Sequence, residues 1–325
     1  MLQVYSFIGI GLIFLIMWLT TKPKVVSLKK YYKSMLAQGG VNALFGIFSV
    51  YGSPITRTPP VLYCIICNLS IFFGMFLTHF IVKEKKHVNY CKLYPILGMI
   101  AIVVSTCLIM TAKIVTDLNN QHFTYWTFFW SFIILAGIFF GSIYNILQEQ
   151  YLKESNKELP KKIDQIVNYF YVLFTTSLVQ FVIMAFCWWV DIIPVYGFST
   201  YDTFWNHLGK AFYCFFGGSG YVNPLFGVLF TIGYLLTYLA EAIMNEDSGN
   251  FALYVQSAET PIVSLIFMIV GLGTESTPLW AVIPSVTICT FGIVVWKTGE
   301  FYAEKQNSKP MKPKEQEMNQ LISPA

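Results

Sequence analysis

The sequence predicts an all-α polytopic membrane protein, because its composition, its apolar runs and its charge distribution each suit a lipid bilayer. Hydrophobic residues make up 55% of the 325 residues and charged residues only 12%, with a mean hydropathy of +0.57. Soluble domains carry about 25% charged residues. The seven cysteines are scattered through apolar runs, so they do not form a disulfide framework.

Nine apolar runs are long enough to be membrane spans, which need about 20 mostly apolar residues. Each is expected to be a helix, because hydrocarbon offers no partners to backbone polar groups and a helix pairs them internally. The first run lacks the basic n-region and cleavage site of a signal peptide, so it is predicted to be retained. The predicted spans are residues 2–19, 35–51, 60–82, 93–112, 124–147, 167–190, 223–244, 250–271 and 278–296.

The basic residues are distributed asymmetrically between the two sides of this topology. If the helices alternate, 18 of the 21 basic residues fall on one side, in residues 22–33, 83–92, 153–162 and 297–325. Positive residues stay cytosolic. The prediction therefore places the C-terminal tail in the cytosol and the long loop 191–222 on the lumenal side.

One six-residue motif occurs twice, as VNALFG from Val41 and VNPLFG from Val222. In the predicted topology the first copy runs from the cytosol and the second from the lumen, so the two run in opposite directions. Inverted repeats of this kind are typical of secondary transporters, whose halves exchange conformations around a shared central site. The chain divides accordingly into a first repeat at 1–118, a second at 119–298 and a flexible tail at 299–325.

The longer segments VNALFGIFSVYGS, FFWSFIILAGIFFGSIYNILQEQYLKE and NFALYVQSAETPIVSLIF carry a family resemblance. In these segments the chain resembles the chloroquine-resistance-transporter-like family. That family belongs to the drug/metabolite transporter superfamily, whose members are built from two inverted five-helix repeats. The resemblance implies a secondary active transporter of a vacuolar or lysosome-like membrane. It would move amino acids, peptides, thiols or cationic compounds, coupled to protons, by alternating access.

The chain departs from this family in two respects. The family has ten helices, whereas the first helix of the first repeat has no counterpart here, so either the chain is truncated or it is a nine-helix version with a lumenal N-terminus. Members of the family also hold the long lumenal loop with disulfides. This loop contains only Cys214, and Cys187 is its one nearby candidate partner.

Glu259 is the main candidate functional residue. It lies nine residues into its predicted helix, about 14 Å deep in a core of about 30 Å. A charge at that depth costs about 2.5–3.5 kcal/mol, so it faces a cavity or a partner. It is interpreted either as a proton carrier or cation-binding group, or as a structural hydrogen-bonding group. The repeat at an offset of 191 makes Asn68 its counterpart.

Further mid-span polar side chains either complete a central cavity or bridge neighbouring helices. Glu149 and Glu241 are predicted to be solvated at cytosolic helix ends, and Gly137 and Gly141 to mark close helix packing. No catalytic triad, phosphate loop or metal cluster is found, so neither an enzymatic activity nor a cofactor is expected. The candidate polar groups are Gln256, Thr260, Gln180, Thr176, Asn145 and Ser142.

The tail contains EMNQLI, in which Glu317, Leu321 and Ile322 match an acidic dileucine-type sorting signal. Cytosolic sorting adaptors read such signals, which favours an endolysosomal or digestive-vacuole membrane. The other expected partners are a small solute, protons and the lipid bilayer, with no nucleic acid and with no oligomeric state indicated.

Two other functions remain open. The first is a nucleotide-sugar or related metabolite antiporter of the Golgi or endoplasmic reticulum, because one fold serves several substrates. Basic residues inside a cavity would favour it, and none lies mid-span. The second is a non-transporting receptor or scaffold, which has no need of an inverted repeat.

Overall fold

The computed structural model describes residues 2–54, 57–58, 60–81, 93–119, 126–218, 222–247, 252–253, 256 and 279–307. These residues are overwhelmingly helical and include no strand, which confirms the all-α class. The helices are α1 (Leu2–Thr21), α2 (Leu28–Gly52), α3 (Pro60–Cys67), α4 (Leu69–Ile81), α5 (Leu93–Asn119), α6 (Trp126–Asn156), α7 (Lys162–Phe186), α8 (Tyr201–Phe215), α9 (Val222–Asp247) and α10 (Leu279–Asn307), with a 3₁₀ helix at Trp188–Ile192.

Several of these helices have the length and apolarity that a bilayer requires. Within the described residues, three can cross a membrane by both criteria: Phe128–Asn156, Lys162–Phe186 and Gly227–Glu246. Four shorter apolar stretches accompany them, at Phe7–Thr21, Leu69–Thr78, Ile96–Ser105 and Trp280–Val295. This is the architecture of a helical membrane protein. The predicted span 250–271 lies almost wholly outside the described residues.

The observed helices differ from the predicted spans mainly at their ends. α2 begins at Leu28 rather than at residue 35, and α6 continues to Asn156 rather than to residue 147. The extensions are polar, and a helix leaving the hydrocarbon does not have to end there. The predicted loop 191–222 also contains α8, whose first turn is closed by a capping box between Thr200 and Thr203. Several of its aromatic residues are exposed.

The predicted span 60–82 is divided at Asn68 into α3 and α4. The Asn68 side chain is fully buried and its Nδ2 donates to Cys289 Sγ of α10 at 2.8 Å. The backbone N–H of Ile71 donates to the carbonyl of Asn68 at 3.3 Å, which closes a tighter turn at this point. A side chain that bonds outside its own helix thus accompanies the irregularity.

α2 lies at the centre of the packing, against α6 on one side and α7 on the other. Glycines allow the close approach: a Cβ on Gly39 would lie 2.5 Å from Val179 Cβ, and Gly137 and Gly141 of α6 meet Phe48 and Phe45 of α2. The predicted packing role of the last two glycines is therefore confirmed. Other contacts join α1 to α7 and α9, α4 to α6, and α5 to α10.

The two ends of the bundle are fixed by contacts between its connections. At one end, here called the linker end, the α1–α2 linker packs on the α6–α7 linker, where the backbone N–H of Lys24 donates to Asp164 Oδ1 at 3.1 Å. The C-terminal part of α9 reaches the same end, because Asn156 Nδ2 donates to Glu246 Oε1 at 2.8 Å. α2 therefore starts where α9 finishes, and these two helices run in opposite directions.

At the other end, here called the loop end, Arg57 joins the end of α2 to residues 195–198. Its guanidinium donates to the carbonyl of Tyr51 at 2.7 Å and lies 3.9 Å above the ring of Trp130 and 4.2 Å from that of Phe198. Desolvation by burial lowers the pKa of Arg57 from its ordinary value. Cys187 and Cys214, the candidate pair of this loop, are both free thiols.

Candidate functional site

A cavity of about 290 Å³ lies in the middle of the bundle, where helices from both halves of the chain meet. α2 contributes Asn42 and Phe45, and the α3–α4 region contributes Tyr63, Cys67 and Ser70. The remaining walls come from α6, α9 and the short described segment around Leu253. Those residues are Ile138, Gly141, Ser142, Tyr144, Asn145, Tyr234, Thr237, Tyr238, Glu241, Leu253 and Gln256.

Tyrosines make up much of the polar surface of this cavity. Tyr234 and Tyr238 lie one turn apart on α9, with ring centroids 4.8 Å apart and hydroxyls at 3.4 Å. Tyr144 faces them from α6, and its hydroxyl accepts a hydrogen bond from Gln148 Nε2 at 3.1 Å. Tyr63 completes the group from α3. The cavity therefore offers both aromatic faces and hydroxyl groups to a ligand.

Glu241, predicted to be solvated near a helix end, is half-buried and supplies a carboxylate in the cavity wall. α9 continues to Asp247, so Glu241 lies six residues inside the helix, about 9 Å from its end. Its Oε1 accepts a hydrogen bond from Gln256 Nε2, which also lines the cavity. Glu149, by contrast, is not solvated as predicted: its side chain is fully buried and it pairs with Lys153 at 2.7 Å.

A network of buried amides lies between the cavity and the linker end. Asn245 Nδ2 donates to Asn145 Oδ1 at 2.9 Å and to Gln148 Oε1 at 2.6 Å. These three residues join α6 to α9 immediately beyond the tyrosines. Asn245 is fully buried and its own Oδ1 has no partner within the described structure. Separation of α6 and α9 would break these hydrogen bonds.

The predicted polar residues divide into those at the cavity and those beside it. Gln256, Asn145 and Ser142 line it. Gln180 is buried behind the wall, where its Oε1 accepts a hydrogen bond from Asn42 Nδ2 at 2.9 Å, and Asn68 is bonded to α10 as described above. Thr176 bonds back to the carbonyl of Val172 in its own helix.

Other predicted residues lie outside the described part of the chain. They are Glu259, Thr260 and the tail residues Glu317, Leu321 and Ile322. Within the described residues no group of three or more histidine, cysteine, aspartate or glutamate side chains is placed to hold a metal ion.

The sequence contained a signal for the residues that the prediction missed. Tyr234, Tyr238 and Glu241 occur at positions i, i+4 and i+7, so they share one face of a helix. Tyr144 and Gln148 stand in the same relation on α6. A polar stripe of this kind inside an apolar span marks the side that faces away from lipid, whatever the depth of any one residue.

Comparison with known proteins gives little further information. No family model matches the chain, and no curated protein matches it. One solved structure, described only as a crystal structure of a protein, matches 91% of this chain over 86% of its own length. The identity is 14% and the TM-score 0.47. A likeness at this level assigns no function.

Proposed function

We propose that the chain is a secondary active transporter that moves a small neutral or cationic solute through the central cavity by alternating access. The observation that carries the proposal is the cavity itself, whose wall holds the Glu241 carboxylate among tyrosines on the largely apolar helix α9. A carboxylate in such a place is costly, and it is usually retained where it meets a substrate, an ion or a proton.

The chemistry of the cavity supports a neutral or positively charged solute. Its volume of about 290 Å³ is near the lower limit of known ligand pockets, which suits a molecule the size of an amino acid, a small amine or a short peptide. Tyrosine rings attract cations by their π faces, and a carboxylate pairs with them directly. The described lining contains no lysine, arginine or histidine.

The helix contacts support an inverted repeat of the drug/metabolite transporter type. In the alignment implied by the repeated VNALFG/VNPLFG motif, α2 corresponds to α9, α1 to α7 and α5 to α10. α1 packs on α7 and α5 packs on α10, as expected of counterparts that meet on a two-fold axis. The contact of α2 with α7 is matched by that of α9 with α1. This pattern favours membership of the chloroquine-resistance-transporter-like family.

A carboxylate in the cavity also suits proton coupling. In this proposal Glu241 accepts a proton on the acidic side and releases it on the neutral side, with Gln256 holding its Oε1 in both states. Glu259 remains a second proposed proton carrier. The proton gradient across an endolysosomal or digestive-vacuole membrane would drive this transport.

The proposed location is tested by replacing Leu321 and Ile322 with alanine. Imaging in cells should then show the chain outside that compartment.

Two other functions are less well supported. A nucleotide-sugar antiporter of the Golgi needs to compensate phosphate charge, and the described lining supplies a carboxylate instead. A receptor or scaffold requires neither a central cavity nor matched contacts between counterpart helices. Uptake of a nucleotide sugar in preference to amines and amino acids would favour the first of these.

The proposal is tested in proteoliposomes that carry an imposed pH gradient, with a panel of labelled amines, amino acids and short peptides. Glu241→Gln should reduce uptake of the preferred solute by roughly tenfold or more, because a charged hydrogen bond contributes about 1.5–3 kcal/mol. It should also flatten the pH dependence, whereas Glu241→Asp should retain part of both.

The matched control is Glu154→Gln, because Glu154 is an exposed carboxylate of α6 outside the cavity. Its uptake should equal that of the unmodified chain. Glu259→Gln, measured beside it, separates the two proposed proton carriers. Unchanged, fully pH-dependent uptake by Glu241→Gln would remove this residue from the proposal, and no uptake of any solute by the unmodified chain would remove the proposal itself.

A further inference from the structure

The linker end carries a concentration of positive charge that the cavity does not use. Residues 22–33 and 157–164 together contain eight lysines and only two carboxylates, Glu158 and Asp164. The two segments are far apart in sequence, and the fold brings them into contact. All eight of these lysines are exposed. Six of them are here called the lysine patch: Lys22, Lys24, Lys29, Lys33, Lys161 and Lys162.

Both carboxylates of these segments are engaged in holding the linkers together. Asp164 is buried and accepts the backbone N–H of Lys24 at 3.1 Å. Glu158 accepts hydrogen bonds from Lys30 Nζ and from the Tyr31 hydroxyl, the latter at 2.5 Å. The acids are therefore committed to the structure, and the charge that remains on this surface is positive.

The lysine patch borders an apolar band. Trp18 and Leu19 are exposed at the end of α1, and Leu28, Tyr32 and Leu36 are exposed along the start of α2. Tryptophan and tyrosine collect at the boundary between the membrane and water. Lysines next to such residues lie at the level of the lipid headgroups, where their long side chains can extend toward phosphate.

We infer that the lysine patch binds the headgroups of anionic phospholipids, with a preference for headgroups that carry more than one phosphate. Each lysine near a negatively charged leaflet adds to the electrostatic attraction. Ammonium groups act as point charges without the directed fork of arginine, so they select charge density rather than headgroup shape. The adjoining apolar band accommodates the acyl chains, which distinguishes a lipid from a soluble anion. This inference rests on the membrane placement of the chain and is independent of the transported solute.

The experiment measures binding of a short-chain fluorescent phosphatidylinositol 4-phosphate to the full chain purified in a neutral detergent. Short-chain fluorescent phosphatidylcholine is the uncharged comparison, and inositol 1,4-bisphosphate is added as a soluble competitor. The test variant changes Lys29, Lys33 and Lys161 together to glutamine. The matched control changes Lys309, Lys312 and Lys314 of the C-terminal tail to glutamine, which removes the same charge elsewhere.

The inference predicts tighter binding of the phosphoinositide than of phosphatidylcholine, weakened at least about tenfold by the test variant and little by the control. Added salt should weaken it further, because exposed charges are screened. Equal weakening by both variants would mean that net charge attracts the lipid without a patch. Competition by inositol 1,4-bisphosphate at the same concentration as the lipid would assign the patch to soluble anions. Either result overturns the inference, as does equal binding of the two lipids.

The test variant replaces only exposed side chains, so it is expected to fold. Its elution from a sizing column and its thermal unfolding midpoint, both compared with the control, establish this. A single Lys33→Glu exchange provides a second route, and it should weaken phosphoinositide binding more than Lys33→Gln does. Equal binding by the unmodified chain and by both Lys33 variants would also overturn the inference.

Discussion

Glu158 is one of the two carboxylates that join the two linkers. It accepts from Lys30 and Tyr31 of α2, and these hydrogen bonds lower its pKa from the ordinary value of 4.5. The hydrogen bond to Glu158 is also the main reason why the pKa of Lys30 is raised from 10.5. Each group is thus held in its charged form by the other.

The two pKa shifts define a pH window for this contact. The stabilisation from Glu158 is complete above its unfolded pKa and is lost as the pH falls through the lower, folded value. The stabilisation from Lys30 is complete below its unfolded pKa and is lost as the pH rises through the higher, folded value. Between about pH 6 and 9 both contributions are therefore constant.

We therefore expect Glu158→Gln to lower the thermal unfolding midpoint by the same small amount at every pH from about 6 to 9. Below pH 4.5 the difference from the unmodified chain should shrink, because the native carboxyl group also becomes neutral. Thermal unfolding in detergent across this range measures both effects. A difference that grows on acidification would contradict the assignment, and pH dependence of uptake within the window must come from other groups.

Glu241 shows what could and could not be predicted about single residues. The sequence shows that a glutamate lies near the end of this apolar run. Its place at the cavity depends on how far α9 continues and on where Gln256 lies. Depth counted from a predicted helix end carries an error of several residues, which is enough to exchange solvent for a cavity wall. For Gln256 and Asn145 the sequence left open whether they line a cavity or bridge helices. Both line the cavity, and both also bond to α9, through Glu241 and Asn245.

At the level of the helices, a glycine allows a very close crossing of α2 and α7. A Cβ on Gly39 would lie 2.5 Å from Val179 Cβ and 2.9 Å from the carbonyl oxygen of Thr176. The second of these is backbone, so it cannot turn aside as a side chain could. Gly40, its neighbour, would bring a Cβ no closer than 3.8 Å to Ile183 Cδ1.

These two glycines form a matched pair for a stability measurement. Gly39→Ala should destabilise the chain by about 1–3 kcal/mol, because the two helices must separate. Gly40→Ala should be neutral or stabilising by up to about 1 kcal/mol, because alanine is the better helix former. Thermal unfolding midpoints of the two variants in the same detergent test this. Equal midpoints would show that α2 and α7 do not cross so closely in solution.

The helices were predictable where apolarity defines them and less so elsewhere. The additional residues of α6, QEQYLKESN, are mostly good helix formers that lie beyond the apolar run, so hydropathy alone ends the helix too early. α8 is too short and too polar to be a span, and its 15 residues were assigned to a loop. The division at Asn68 is accompanied by a hydrogen bond to α10, a contact that no local pattern reports.

For the whole molecule, the decisive feature is the opposite direction of α2 and α9. α2 starts beside Glu158 and α9 ends beside Asn156, both at the linker end. The two copies of the VNALFG/VNPLFG motif therefore lie on antiparallel helices. The topology derived from the basic residues predicted this opposite direction. Antiparallel helices can be related by a two-fold axis in the membrane plane. Such an axis also requires that the starts of α2 and α9 lie on opposite sides of the membrane.

A thiol-labelling experiment determines these sides. In a chain from which the seven native cysteines have been removed, single cysteines replace Lys29 and Lys161 at the linker end and Lys210 of α8 at the loop end. All three lysines are exposed. A membrane-impermeant maleimide is then applied to sealed vesicles of known orientation, before and after permeabilisation.

Because positive residues stay cytosolic, Lys29→Cys and Lys161→Cys should label only from the cytosolic face and Lys210→Cys only from the opposite face. All three should label after permeabilisation, which serves as the control for reactivity. Labelling of Lys29→Cys and Lys210→Cys from one face would place both ends of the bundle in one compartment. Helices α2 and α9 would then not cross the membrane in opposite directions, and an alternating-access exchange between two inverted halves could not operate.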